Sequence, residues 1–272
     1  MRRLISVPCE GDTLAATLDA APGRTGLLIV SGGNEIRIGA HRGMALLAAR
    51  VAHAGHPVLR FDRRGIGDST GTNGGYEGSA QDIAAAAQAL RDAGAERILA
   101  FGNCDAATAL AFFHAQAGID ALLLANPWAI EPTDALPPAA AIRSHYAARL
   151  RDPKEWLRLL RGGVNIAKLL KGLRKASQKP PEALAGLTAR LAAALGSAEV
   201  PVTILLAKGD NTAIAFADAL KGQAFEAARA RTRVETLDSA SHSFASATDK
   251  DWLLQRVLAQ LVTPAKAGVS GN

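Results

Sequence analysis

Short apolar runs alternate with helical stretches through the first 130 residues, and this rhythm is the strongest constraint on the fold. It is typical of a mostly parallel sheet covered by helices, because consecutive parallel strands need a long crossover between them. Two opening runs, at 2–8 and 13–18, flank Glu10-Gly11-Asp12 and predict a hairpin. Further strands are predicted at 27–30, 58–62, 97–101, 121–125, 202–207 and 233–237, and helices at 41–54, 78–93, 105–117, 212–220 and 250–262.

The rhythm breaks near residue 130, and no convincing strand pattern returns before Pro201. Residues 137–198 instead have the pattern of helices and turns. We therefore predict an α/β core from 1–130 and 199–262, a helical cap inserted over 131–198 after the sixth strand, and a flexible tail over 263–272. With 272 residues, 49% of them hydrophobic, the chain is long enough to bury such a core.

The excess of basic residues is confined to one segment of the predicted cap. The net charge is +6, but residues 143–179 hold 11 of the 31 basic residues and only 2 of the 25 acidic ones. This segment is either a solvated helix face or a surface that docks an anionic carrier, such as an acyl carrier protein or coenzyme A, or an anionic membrane surface. Nothing in the sequence resembles a nucleic-acid-binding module, so no nucleic-acid partner is predicted.

The two cysteines, Cys9 and Cys104, are too few for a disulfide framework and lack the spacing of a zinc site. We predict no metal. Cysteine usage fits a reducing compartment, the amino-terminal residues do not have the pattern of a signal peptide, and no run of about 18 apolar residues predicts a membrane span. A cytoplasmic location is the resulting expectation.

Cys104 lies where a nucleophile would be expected. The predicted strand at 97–101 runs into Gly102-Asn103-Cys104-Asp105-Ala106 and then into an alanine-rich helix. This strand, sharp turn and helix correspond to the nucleophile elbow, usually G-x-S-x-G, whose outer positions must be small. At the start of a helix the macrodipole favours thiolate over thiol, and the backbone N–H of Asp105 would point to a developing oxyanion. Alternatively, Cys104 is a buried cysteine that packs as a small apolar residue.

Two further residues complete a candidate triad. Asp210 follows the strand at 202–207, and His242 follows the strand at 233–237. Each taken alone is a common loop residue, since Asp is favoured in turns and loop histidines are often solvated. Together with Cys104 they give the order nucleophile, acid, histidine, which predicts that the three loops meet at one edge of the sheet.

The second oxyanion donor is expected in the loop after the strand at 27–30. This loop reads Ser31-Gly32-Gly33-Asn34, and its glycines permit the close backbone approach that a donor needs. Gly33 or Asn34 is the predicted donor; a simple glycine-rich turn is the alternative. Residues predicted to line the substrate entrance are Gly32, His41, Arg42, Trp128 and His145.

A second glycine-rich stretch, from Asp62 to Ser69, does not predict a cofactor. Gly65 and Gly67 follow a strand, but the next glycine is Gly71, one residue too late for a dinucleotide fingerprint. We interpret the stretch as a structural turn behind the elbow.

The motifs together resemble the type 1 hydrolases associated with the exosortase A system, a bacterial branch of the α/β-hydrolases. The likeness extends over nearly the whole chain and is carried by the motifs at 37–42, 62–69, 104–106, 126–128 and 145–146. The resemblance implies the α/β-hydrolase fold. It also implies a cytoplasmic protein whose gene accompanies exopolysaccharide and protein-sorting systems, often beside acyl carrier and acyl-activating proteins.

The predicted activity is hydrolysis of an ester or thioester through an acyl-cysteine on Cys104, with His242 as base and Asp210 orienting it. The substrate would be a small-molecule or carrier-bound acyl group, and no cofactor is required. Two alternatives stay open. One is an acyltransferase that uses the same acyl-cysteine, and the other is a binding protein of the same fold that has lost turnover.

Overall fold

The computed structural model describes residues 1–129 and 182–263. These residues form an eight-stranded sheet flanked by helices, which confirms the predicted fold class. The basic segment at 143–179, His145, most of the predicted cap and nearly all of the predicted tail lie outside the described residues. The strands are β1 (Arg2–Cys9), β2 (Asp12–Asp19), β3 (Thr25–Val30), β4 (Val58–Phe61), β5 (Arg97–Asn103), β6 (Ala121–Ala125), β7 (Val202–Ala207) and β8 (Thr232–Leu237).

The strands are ordered β1-β2-β4-β3-β5-β6-β7-β8. β1 and β2 form the predicted hairpin, and β2 pairs with β4 in antiparallel fashion. The other six strands, β3 to β8, run parallel to one another. Val30 pairs with Gly102 at the carboxyl ends of β3 and β5, and Asn103 pairs with Ala125. Loops that leave these ends therefore emerge on one edge of the sheet, as the triad prediction requires.

Helices cover both faces of the sheet. They are α1 (Gly43–His53), α2 (Ala80–Asp92), α3 (Asp105–Phe113), α4 (Glu182–Ser197), α5 (Asn211–Ala219), α6 (Glu226–Arg231) and α7 (Ala247–Val262), with 3-10 turns at Ala40–Arg42 and Gln223–Phe225. Successive strand residues point to opposite faces, so Leu28 and Val30 pack with α2 and α3, whereas Leu27 and Ile29 pack with α1 and α7. Burial on both faces explains why β3, β6 and β7 are nearly continuous apolar runs, whereas β8, at the edge of the sheet, is half exposed and carries charged residues.

α4 lies within the range predicted for the cap, but it packs against the core. It contacts α3 and α6, and Leu191 and Leu195 are fully buried in the same apolar cluster as α2 and α3. This part of the predicted insertion therefore covers one face of the sheet.

Three local features differ from the sequence expectations. The helix predicted at 41–54 begins only at Gly43, because His41 and Arg42 have left-handed backbones, with φ of 51° and 58°. α3 ends at Phe113 and is followed by turns up to Gly118, whose φ is 61°. The short helix α6 was not predicted, since six residues are too few to show helical periodicity.

Across the two described ranges, none of the helices combines the length and apolar character needed to cross a bilayer.

Candidate active site

Cys104 lies on a sharp turn between β5 and α3. Its backbone has φ 61° and ψ −126°, a sparsely populated region that costs a non-glycine residue about 1–3 kcal/mol. Hydrogen bonds hold the turn, because the Cys104 N–H donates to the carbonyl of Ala125 at 3.0 Å and its carbonyl accepts from Ala107 at 3.1 Å. A side chain at position 102 would come within 2.8 Å of the Ala106 backbone, which explains Gly102. The geometry presents a partly exposed sulfur at the start of a helix.

The acid and the histidine meet beside this turn. Asp210 follows β7 and caps α5, where one carboxylate oxygen accepts from the Ala213 N–H at 2.9 Å. The other oxygen lies 3.0 Å from Nδ1 of His242, in the loop between β8 and α7. Because the cap fixes the carboxylate, the direction of the imidazole is fixed with it.

The imidazole of His242 also interacts with the side chain of Cys104, which contributes to the shift of its pKa. The hydrogen bond to Asp210 is the largest cause that raises the pKa of His242 to about 10, followed by the hydrogen bond to Cys104, and burial opposes both. At neutral pH the ring is then an imidazolium. The geometry places this ring where it can exchange a proton with the sulfur during a reaction.

The candidate oxyanion donors are the backbone N–H groups of Asp105 and of the loop that holds Gly33 and Asn34. Asp105 is the first residue of α3, so its N–H has no acceptor within the helix. The N–H of Gly33 donates to the Asp105 carboxylate at 2.6 Å. Arg63 bonds the Gly33 carbonyl and lies 3.6 Å from the same carboxylate. Asn34 accepts a side-chain hydrogen bond from Asn73 at 3.1 Å.

A small recess of about 20 Å³ lies next to the oxyanion loop, residues 31–34. Met44, Phe101 and Phe244 supply its apolar wall, while Gly32 and Asn103 face it from the side of the candidate nucleophile. A recess of this volume holds about one water molecule, so in this structure it has no room for an acyl chain.

A model of the alpha/beta hydrolase family matches residues 27–255. The chain belongs to this family. No significant match was found among curated protein sequences.

Solved structures show the same α/β-hydrolase architecture. The Pyrococcus furiosus esterase Pf2001 superposes with a TM-score of 0.62 at 14% identity, covering 94% of this chain and 90% of that one. The thioesterase domain from the curacin biosynthetic pathway gives 0.60 at 13% identity, covering 95% and 99%. A hydrolase from Pseudomonas aeruginosa PA01 gives 0.57 at 23% identity, covering 96% and 99%. At such identities the likeness establishes the fold.

The remaining candidate residues of this α/β-hydrolase have different surroundings. Gly32 is packed tightly, since a Cβ there would lie 2.6 Å from the Asn103 carbonyl oxygen and 2.7 Å from the Asp105 carboxylate. The backbone N–H of Trp128 donates to the Cys104 carbonyl at 3.2 Å, which holds Trp128 next to the elbow. His41 and Arg42 are exposed in the kink before α1.

The glycine loop predicted to be structural is held by protein contacts. The carboxylate of Asp62 is fully buried and accepts hydrogen bonds from Arg37 and from the N–H of Asp68. Ser69 donates from its hydroxyl to the Asp62 carbonyl at 2.7 Å. Within the described parts of the chain, no three His, Cys, Asp or Glu side chains converge to hold a metal ion.

Sequence reasoning missed three polar residues around the site of this α/β-hydrolase. Arg63 is 3% exposed and donates a hydrogen bond to the Gly33 carbonyl in the oxyanion loop. The side chains of Asn103 and Asn126 both donate to the main-chain carbonyl of His242. Asn103 adjoins the candidate nucleophile and Asn126 directly follows an apolar strand. Both positions at the carboxyl ends of strands could have indicated that these side chains lie near the site. Their partners are distant in sequence, which left no local pattern to identify the contacts.

Proposed function

We propose that this α/β-hydrolase cleaves an ester or thioester through an acyl-cysteine on Cys104. The observation that carries the proposal is the imidazole of His242, whose Nδ1 lies 3.0 Å from Asp210 and whose pKa is raised by both Asp210 and Cys104, the residue at the nucleophile elbow. A small apolar core side chain would need neither the strained backbone of Cys104 nor an imidazole partner.

The reaction starts from a thiolate paired with protonated His242. The sulfur attacks the acyl carbonyl, and the N–H of Asp105, with that of Gly33 or Asn34, stabilises the oxyanion. As the carbonyl reforms, the bond to the leaving alcohol or thiol breaks and His242 donates a proton to it. Neutral His242 then takes a proton from water, which attacks the acyl-cysteine and releases the acid. The thiolate–imidazolium pair is thereby restored.

The proposal favours thioesters and activated esters over amides. Thiolate is a better leaving group than alkoxide, so the tetrahedral intermediate formed on Cys104 expels sulfur readily unless the substrate's own leaving group is at least as good.

The test uses purified protein with p-nitrophenyl butyrate and butyryl-N-acetylcysteamine. We expect turnover, a trapped butyryl group on the Cys104 peptide by mass spectrometry, and at least about a thousandfold loss of kcat/KM in Cys104→Ala. Cys9→Ser is the matched control and should keep the activity, since Cys9 is buried away from the site. Unchanged turnover in folded Cys104→Ala would refute the proposal.

The same experiment separates the alternative functions. Butyryl transfer to an added alcohol or amine at the expense of butyrate would identify an acyltransferase. No turnover and no acyl adduct on Cys104, with either substrate, would leave a binding protein of this fold.

The physiological setting belongs to the same proposal. The motif resemblance supports a cytoplasmic role beside an exosortase and exopolysaccharide system, with an acyl carrier protein or coenzyme A bound at the basic segment 143–179. If so, butyryl-coenzyme A should have a lower KM than the uncharged thioester, and the difference should shrink with added salt. Equal KM values at low salt would remove the support for carrier recognition.

A further inference from the structure

Two asparagine side chains donate hydrogen bonds to one oxygen, the main-chain carbonyl of His242. The Asn103 amide nitrogen donates to the His242 carbonyl at 3.0 Å, and the Asn126 amide nitrogen donates to the same oxygen at 3.3 Å. Asn126 also donates to the Asn103 side-chain oxygen at 3.1 Å. The main chain of the histidine is therefore held by two coupled carboxamides.

Asn126 joins the strand that carries the acid to the loop that carries the histidine. It is fully buried, and its side-chain oxygen accepts from the Ala207 N–H at 2.9 Å. Ala207 ends β7, and its carbonyl accepts from the Asp210 N–H at 3.0 Å. One side chain thus sets the position of Asp210 relative to His242.

Asn103 joins the elbow to the same loop. It is the last residue of β5 and immediately precedes Cys104, so its bond to the His242 carbonyl fixes the nucleophile relative to the imidazole. Between them, the two asparagines connect the main chains at all three members of the candidate triad.

The chemistry explains why both residues are carboxamides. Each must donate to a carbonyl and also accept from an N–H, and a carboxamide does both in one side chain. A carboxylate at either position would face the His242 carbonyl oxygen and repel it. Asn126 also has φ 42°, a left-handed backbone that asparagine adopts more readily than most residues.

We propose that Asn103 and Asn126 are positioning residues that hold the main chain of His242 so that its ring bridges Asp210 and Cys104. The inference rests on the proposed function, because it concerns the geometry of the same triad. It assigns to these two side chains the alignment of the imidazole, and no contact with substrate.

The test measures alkylation of Cys104 by iodoacetamide as a function of pH, in a Cys9→Ser background. With Asn103 in place, Cys104 should be alkylated faster at neutral pH than free cysteine, because the imidazole of His242 is held beside its sulfur. Asn103→Asp and Asn103→Ala should shift this profile toward that of a free thiol and lower kcat at least about tenfold, with little change in KM. Asn103 is partly exposed, so these variants should fold.

Asn126→Ala and the control Asp120→Ala separate positioning from loss of stability. Asp120 accepts from the Ile98 N–H at 2.8 Å at the opposite edge of the sheet, so its loss should lower the melting temperature without moving the alkylation profile. Asn126→Ala, assayed well below its own melting temperature, should move the profile in the same direction as the Asn103 variants.

The outcomes distinguish this inference from the proposed function. A profile that stays at its wild-type position in folded Asn103 variants would overturn the positioning role and leave the triad intact. A wild-type thiol that reacts only at alkaline pH would overturn the triad and the inference together.

Discussion

The carboxylate of Asp105 accepts a hydrogen bond from the backbone N–H of Gly33 at 2.6 Å. This N–H is one of the two candidates for the second oxyanion donor, and a carboxylate at that distance competes with the oxyanion for it. Arg63 lies 3.6 Å from the same carboxylate and forms an ion pair with it. The side chain next to the nucleophile therefore occupies a donor that the reaction would use.

Replacing Asp105 should accordingly accelerate acylation. The oxyanion loop has independent supports, because Arg63 bonds the Gly33 carbonyl and the Glu35 N–H donates to the Gly32 carbonyl at 3.0 Å. We expect Asp105→Ala to raise kcat/KM for p-nitrophenyl butyrate about three- to tenfold, and Asp105→Asn, which keeps a neutral acceptor, to change it less. A fall in kcat/KM for folded Asp105→Ala would show instead that the carboxylate is needed to hold the loop.

Stability should depend on pH through His242. Its pKa is 6.5 in the unfolded chain and about 10 in the folded protein, a rise caused first by Asp210. The group therefore stabilises the folded state fully below pH 6.5, and this contribution is lost as the pH rises toward 10. The free energy of unfolding, measured in urea for wild type and His242→Gln, should differ most near the lower pH and converge near the higher one. A difference that grows with pH would contradict the assignment.

Thiol chemistry should single out Cys104 over Cys9. Burial and the neighbouring Asp82 raise the pKa of Cys9 to about 11, and its thiol donates to Asp82 at 3.5 Å. Iodoacetamide at neutral pH should therefore label only Cys104 in the folded protein, as read by peptide mass spectrometry, and His242→Ala should slow that labelling. The matched control is labelling in guanidinium, where both cysteines should react. Comparable labelling of Cys9 in the native protein would contradict its buried position.

A methyl group at position 32 should disrupt the site. Because a Cβ on Gly32 would lie 2.6 Å from the Asn103 carbonyl oxygen, Gly32→Ala must push the oxyanion loop away from the elbow. We expect a loss of about 1–3 kcal/mol in the free energy of unfolding and at least about a tenfold fall in kcat. Gly186→Ala is the control, since a Cβ there meets nothing within 4 Å in helix α4 and should leave activity unchanged. Wild-type kcat in Gly32→Ala would show that the loop has no role in catalysis.

The fold was predictable because the physics behind it is local. β3, β5, β6 and β7 are buried on both faces, which requires continuous apolar runs such as Leu27-Leu28-Ile29-Val30. The elbow was predictable for the same reason, since strand, tight turn and helix follow one another in sequence. Asp210 and His242 became recognisable from their order along the chain and from the parallel sheet, which collects loops at one edge.

The contacts around the triad could not be predicted in the same way. The bond from Asn103 to the His242 carbonyl spans 139 residues, and that from Asn126 spans 116. The carboxylate of Asp105 reaches Gly33 across 72 residues. The left-handed backbones of His41 and Arg42 likewise arise from packing around α1, since neither residue type signals a kink in the sequence.

Because Asn103 and His242 are far apart in sequence, the candidate site can form only when folding is complete. β5 through β8 and the loop before α7 must all be docked before the imidazole reaches the sulfur. A partly folded chain with most of its helices formed would still carry an ordinary thiol. In a refolding time course, rapid alkylation of Cys104 near neutral pH should return after the far-ultraviolet circular dichroism signal, so that the chemistry of one sulfur atom marks the final step of assembly.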